Sequence, residues 1–134
     1  MASTHYNPEF APDARQWLAL SELERIRLAQ NHHVSAQVKV PSMKAHAAIH
    51  AAVENQVASG YGPSKKAIAR LVSEGLSRHE AVHAIGSILA QFIYELNKGQ
   101  TPEQQASFQS RMGEAINQLH AQEWLTAGAD ANDA

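Results

Sequence analysis

Apolar residues recur along most of this chain three and four positions apart, the period of an amphipathic helix, and short punctuation segments divide the pattern. Residues 1–11 lack that period; with Asn7-Pro8 and Ala11-Pro12 they read as an extended N-terminal arm. Pro12 suits the first position of a helix, and Trp17, Leu20, Leu23, Ile26 and Leu28 supply its apolar face. Ser21-x-x-Glu24 is a capping-box sequence, so this helix either breaks near residue 20 or continues to Gln30, where Asn31-His32-His33 ends it. Residues 34–41 alternate polar and apolar, close on Pro41 and read as a loop.

Ser42 opens a helix over 42–58 with Ile49, Val53 and Val57 in one row, and Ser59-Gly60-Tyr61-Gly62-Pro63 stops it. A short helix follows from Ser64, with Ile68, Leu71 and Val72 directed inward and Gly75 as its C-terminal stop. Ser77-x-x-Glu80 is a second capping box. It starts the most apolar helix, where Val82, Ile85, Leu89, Phe92 and Leu96 form a stripe that Ile88 and Ile93 widen; this helix is expected at the centre of the domain. Asn97-Lys98-Gly99 ends it, and Thr101-Pro102 opens a last helix over 102–125 with Phe108, Met112, Ile116 and Leu119 inward. The small, acidic residues 127–134 read as a disordered tail. The pattern thus predicts an all-α protein, an irregular bundle of four or five helices in a single domain over 12–126. Trp17, Trp124 and Phe108 fall at helical spacing and are assigned to the core rather than to a partner surface.

Composition narrows the chemistry. Alanine, the best helix former, supplies 24 of the 134 residues. The absence of Cys excludes disulfide scaffolds, thiolate zinc sites, iron–sulfur clusters and Cys nucleophiles. A formal charge of −2 gives no basic footprint for nucleic acid. No apolar run has the length of a membrane span, and the first residues, Met1-Ala2-Ser3-Thr4-His5, have no basic-then-apolar leader, which fits a cytoplasmic protein.

The anomaly is eight histidines, six of them between residues 32 and 83. His46 and His50 are four apart, as are His79 and His83, so each pair stacks on one helix face. Two such pairs on facing helices bring four imidazoles to one point. Glu54 lies one turn beyond His50. We therefore take His46, His50, His79, His83 and Glu54 as the candidate ligands of a divalent transition metal, zinc or iron first; nickel and copper also accept imidazole. Residues 79–83, HEAVH, match the H-E-x-x-H pattern in which two histidines hold zinc and the Glu is the base of a peptidase. Glu80 is equally the third residue of the capping box, and a carboxylate bonded to the Ser77 amide does not activate water. Glu80-x-x-His83 is also half of a di-metal carboxylate motif whose other half the chain lacks. Clustered imidazoles also allow a metal-free pH switch.

The stretch 43–96 resembles a bacterial family of short proteins of unknown function, built on H-x-x-x-H, a Glu/Gln pair, a Pro-bearing turn, and H-E-A-x-H ahead of a long apolar helix. His46, His50, Gln56, Pro63, His79, Glu80 and His83 match that pattern, and Asn31-His32-His33 corresponds to a His-bearing end of the preceding helix. Glu54 departs from it, since the family carboxylate sits next to the Gln. The resemblance implies a small, mainly helical bacterial protein and supplies no chemistry. The competing reading is a structural or protein-interaction module with neither metal nor catalysis; a protein partner or a homo-oligomer is compatible with it. A helix-turn-helix over 64–90, with Lys65, Lys66, Arg70 and Arg78, ranks third, because its second helix is too apolar to lie in a DNA groove.

Overall fold

The computed structural model of the protein describes residues 6–35 and 43–126. Of the loop expected over 34–41, residues 34 and 35 belong to a helix instead, while 36–41 and the expected tail from residue 127 lie outside the described residues. Seven α-helices and no strand occur among the described residues: α1 Ala14–Ala19, α2 Glu22–Ser35, α3 Met43–Ala58, α4 Gly62–Ser73, α5 Arg78–Asn97, α6 Pro102–Asn117 and α7 Ala121–Thr126. The all-α expectation holds, with more and shorter helices than the pattern alone suggests.

The extra elements have local or tertiary causes. The first helix does break at residue 20. The Ser21 amide donates to Glu24 Oε1 at 2.9 Å while the Glu24 amide reaches Ser21 Oγ at 3.2 Å, starting α2 afresh. Arg25 then closes α1, donating to the carbonyls of Trp17 and Leu18 at 3.0 Å each. α2 passes Asn31-His32-His33 and continues to Ser35, because that polar triplet contains neither Gly nor Pro to stop it. The expected 102–125 helix is divided at residues 118–120. Arg70 of α4 donates to the carbonyls of Ile116 and Leu119 at 2.9 Å each, and Glu74 accepts from the Ala121 amide at 2.8 Å. These bonds satisfy the orphan groups of both helix ends.

α5 is the hub, packing against α3, α4 and α6. Its Val82, Ile85, Leu89 and Phe92 join Val53, Ala67, Met112 and Ile116 in the main core. Leu96 and Ile93, expected inward, are instead exposed; Val72 of α4 is exposed as well. Trp17 and Trp124 are buried and Phe108 packs against the main core, as assigned. A second core joins Leu71, Leu76, Ala81, Ala84, Ala121 and Trp124. A third brings the N-terminal arm onto the bundle, with Tyr6 and Trp17 against Ala29, Ala47 and Ala51.

Two turns set the path of α4 between α3 and α5. Gly60 and Gly75 take φ of 83° and 110°, left-handed conformations that Gly adopts without a Cβ penalty. Around Gly75 the Leu76 amide reaches back to the Leu71 carbonyl and the Gly75 amide to Val72, both at 3.0 Å, the double bond that ends a helix and reverses the chain. The Ser77 side chain then accepts from the Glu80 amide, and α5 begins with Arg78, His79 and Glu80 in its first turn. Gly86, nearly two turns beyond, lets α3 approach: a Cβ there would lie 2.7 Å from Ile49 Cγ2.

Candidate metal centre

α3 divides its faces by residue size. Ala47 and Ala51 pack against the arm and α2, so the neighbouring face, with His46, His50 and Val53, turns to α5. α5 offers His79 and His83 from its first turns. The four imidazoles meet as the spacing predicts. His83 Nε2 lies 2.6 Å from His50 Nε2, 3.1 Å from His46 Nε2 and 3.0 Å from His79 Nε2. Three of them, His46, His50 and His83, place ligand nitrogens within 4.8 Å of one another, an arrangement that could hold a metal ion. His79 touches His83 but does not belong to that mutually close set. His50 and His83 are buried and His46 is half-buried.

The protons can be followed inward from the arm. The Tyr6 hydroxyl donates to Glu54 Oε2 at 2.6 Å and also stands 3.0 Å from His50 Nδ1. Burial first, and the Glu54 carboxylate second, push the Tyr6 phenol well above its ordinary pKa, so it keeps its proton. With that proton committed to Glu54, the phenol oxygen only accepts from His50, which fixes His50 as the Nδ1–H tautomer. Its Nε2 then carries a lone pair aimed at His83. This is the outer hydrogen bond by which metal-binding histidines are oriented and made more basic.

An imidazole nitrogen offers one in-plane direction, for one proton or one lone pair. Among the described residues His83 Nε2 has three nitrogen neighbours, and hydrogen bonding satisfies at most one of them. A cation that accepts a lone pair from each ring removes the conflict. Ligand nitrogens around a tetrahedral zinc at 2.0–2.1 Å stand about 3.3 Å apart, between the 2.6 Å of the tightest pair and the 4.8 Å that bounds the set.

Glu54 does not turn toward the rings. Its oxygens accept from Arg78 Nη1 and Nη2 at 2.8 and 2.7 Å, a bidentate pair, and Oε2 also takes the Tyr6 proton. Burial works against the Arg78 charge, but the Glu54 contacts outweigh it, and the net effect raises the guanidinium pKa. Arg78 further donates to the Pro8 carbonyl at 2.8 Å, and Glu9 Oε1 accepts from the His79 amide at 3.2 Å. The arm is thereby stitched to the first turn of α5, over the imidazoles.

Glu80 takes the capping role. Its Oε1 accepts from the Ser77 amide at 3.2 Å, and its own amide donates to Ser77 Oγ at 3.0 Å. The H-E-x-x-H match is thus two histidines around a helix cap. Gln56, the remaining polar residue of the motif, accepts from Ser64 Oγ at 2.5 Å and ties the end of α3 to α4. His120 lies away from the cluster, paired with Glu74 at 2.8 Å.

Two contributors escape sequence reasoning. Tyr6 is an aromatic in an arm without period, and Arg78 reads as the residue after a cap or as one of a basic cluster. Only the chemistry of a buried Glu54, which demands a cation and a donor, signals that such partners exist. Comparison with family models, curated proteins and solved structures gives no match for this chain, so the evidence for its function is the site itself.

Proposed function

We propose that this protein binds a divalent transition metal, zinc or iron first, through the Nε2 atoms of His46, His50 and His83. His79 borders the remaining coordination position, and Glu54 acts through Tyr6 on His50 rather than as a ligand. This differs from the spacing-based set only in giving His79 and Glu54 supporting places. The observation that carries the reading is the convergence of three imidazole nitrogens within 4.8 Å. With no Cys in the chain, imidazole is the softest strong donor available, which suits zinc or iron(II) over thiolate-seeking copper(I).

The test is elemental analysis of untagged protein, with thermal melts before and after a chelator. The proposal expects close to one metal per chain and a lower melting temperature on chelation. A metal at a hundred times its Kd adds about 2.7 kcal/mol of stability. Absence of stoichiometric metal after zinc or iron(II) loading, with unchanged melts, would overturn it.

A further inference from the structure

The N-terminal arm is fastened to both histidine-bearing helices by a few groups. Tyr6 reaches Glu54 and His50 of α3 through its hydroxyl. Arg78 of α5 donates to the Pro8 carbonyl at 2.8 Å, and the His79 amide donates to Glu9 Oε1 at 3.2 Å. Of residues 6–10, Tyr6 and Pro8 are buried, while Asn7, Glu9 and Phe10 are exposed. An Asx turn shapes the segment: the Glu9 amide donates to Asn7 Oδ1 at 2.9 Å and the Phe10 amide to the Asn7 carbonyl at 3.0 Å. A non-helical segment held by two buried side chains and a few hydrogen bonds opens locally, at far lower cost than unfolding the bundle.

One of these bonds ends on a proposed ligand. When His50 gives its Nε2 lone pair to a dication, positive charge spreads over the ring and Nδ1–H becomes a stronger donor. Hydrogen bonds from charged donors are shorter and roughly twice as strong as neutral ones, so the contact with the Tyr6 oxygen tightens. Glu54 supports it from the other side by accepting the Tyr6 hydroxyl. The coupling is reciprocal: the factor by which docked Tyr6 raises metal affinity is the factor by which the metal favours the docked arm.

Resting on the metal reading above, we infer that residues 6–10 form a metal-responsive strap, held more firmly across α3 and α5 when the site is loaded, with Tyr6 as the connection. Exposed Glu9 and Phe10 ride on this strap, so metal occupancy is displayed at the surface. Glu9 offers a competing route, since its charge alone attracts a dication, and the test separates the two.

The test is amide hydrogen exchange, followed by NMR on the full chain with and without saturating zinc. Zinc should slow exchange at the Glu9 and Phe10 amides by about 10- to 100-fold, the factor by which an outer hydrogen bond changes metal affinity. The Gln104 amide, bonded to Thr101 Oγ1 at the start of α6, serves as the control and should not change. In Tyr6→Phe at zinc saturation, the slowing at Phe10 should vanish. Glu9→Ala should speed Phe10 exchange roughly 3- to 10-fold with or without zinc, the worth of one hydrogen bond. Glu9→Gln keeps an acceptor oxygen without the charge and should restore both the slow exchange and its response to zinc. Zinc-bound protein with unchanged Glu9 and Phe10 exchange overturns the inference and leaves the metal reading standing. So does a slowing matched at Gln104, retained in Tyr6→Phe, or lost in Glu9→Gln. A chain that takes up neither zinc nor iron(II) overturns both.

Discussion

Tyr6→Phe is the sharpest perturbation of the proposed centre that leaves every ligand in place. The substitution removes one oxygen and keeps the ring, which packs against Trp17 with centroids 5.7 Å apart. That oxygen makes two buried contacts, 2.6 Å to Glu54 and 3.0 Å to His50. Glu54 retains its bidentate Arg78 partner but gives up a short charge-assisted bond, which adds to the stability loss. His50 Nδ1 loses its acceptor in a buried setting, at a cost of about 1–3 kcal/mol to the folded chain. Freed from that constraint, the ring can place its proton on Nε2, where it blocks the metal. Loss of such outer hydrogen bonds lowers metal affinity by about 10- to 100-fold, or about 1.4–2.7 kcal/mol. Zinc competition against a chromophoric chelator at neutral pH gives the affinity, and denaturant melts of the metal-free proteins give the stability. Trp17→Phe is the control. It breaks the 2.8 Å bond from the indole to Asn55 in the adjoining α1–α3 contact without touching a histidine. It should therefore lower stability and leave zinc affinity unchanged. A folded Tyr6→Phe protein that binds zinc as tightly as the wild type refutes the tautomer argument; so does a Trp17→Phe protein that loses as much affinity.

Three further outcomes follow from the geometry. Glu80→Gln preserves the capping box, since Gln serves at that position too; zinc affinity should be unchanged and the stability loss about 1 kcal/mol or less, whereas a large fall in zinc affinity would return Glu80 to the metal chemistry. Gly86→Ala places a methyl 2.7 Å from Ile49 Cγ2, which should cost about 1–3 kcal/mol and weaken zinc binding by spreading α3 from α5. Adding Ile49→Ala should restore zinc affinity, and a double variant no better than the single contradicts this cause. His83→Ala should abolish zinc uptake, while His79→Ala should reduce affinity by about 100-fold at most, as for a supporting group; isothermal titration of both distinguishes three ligands from four, and equal losses would favour four.

Much of this arrangement is legible in the sequence, and the line between what is and what is not is physical. The four-residue spacing of His46–His50 and His79–His83 fixes side-chain stacking on any helix, so their convergence needs only that two helices face each other. Ser21-x-x-Glu24 and Ser77-x-x-Glu80 act within four residues, and both boxes form as written. The break at residues 118–120 is different, because Arg70 and Glu74 on another helix supply the capping partners. Leu96 and Ile93 continue a helical stripe, yet they stay exposed, because which face of a helix is covered is decided by tertiary packing and not by its own period. The largest change concerns the arm. Its lack of period hides Tyr6, yet Tyr6 connects Glu54 to His50 across 44 and 48 residues of chain. The same long-range pairing moves Glu54 from candidate ligand to partner of Arg78.

X-ray absorption at the zinc edge of the loaded, untagged protein tests the central claim most directly. The account predicts four-coordinate zinc with three imidazole nitrogens at about 2.0–2.1 Å and one further light atom, the imidazole signature falling in the His83→Ala protein. A six-coordinate, oxygen-dominated shell, or a spectrum unchanged by His83→Ala, would contradict it.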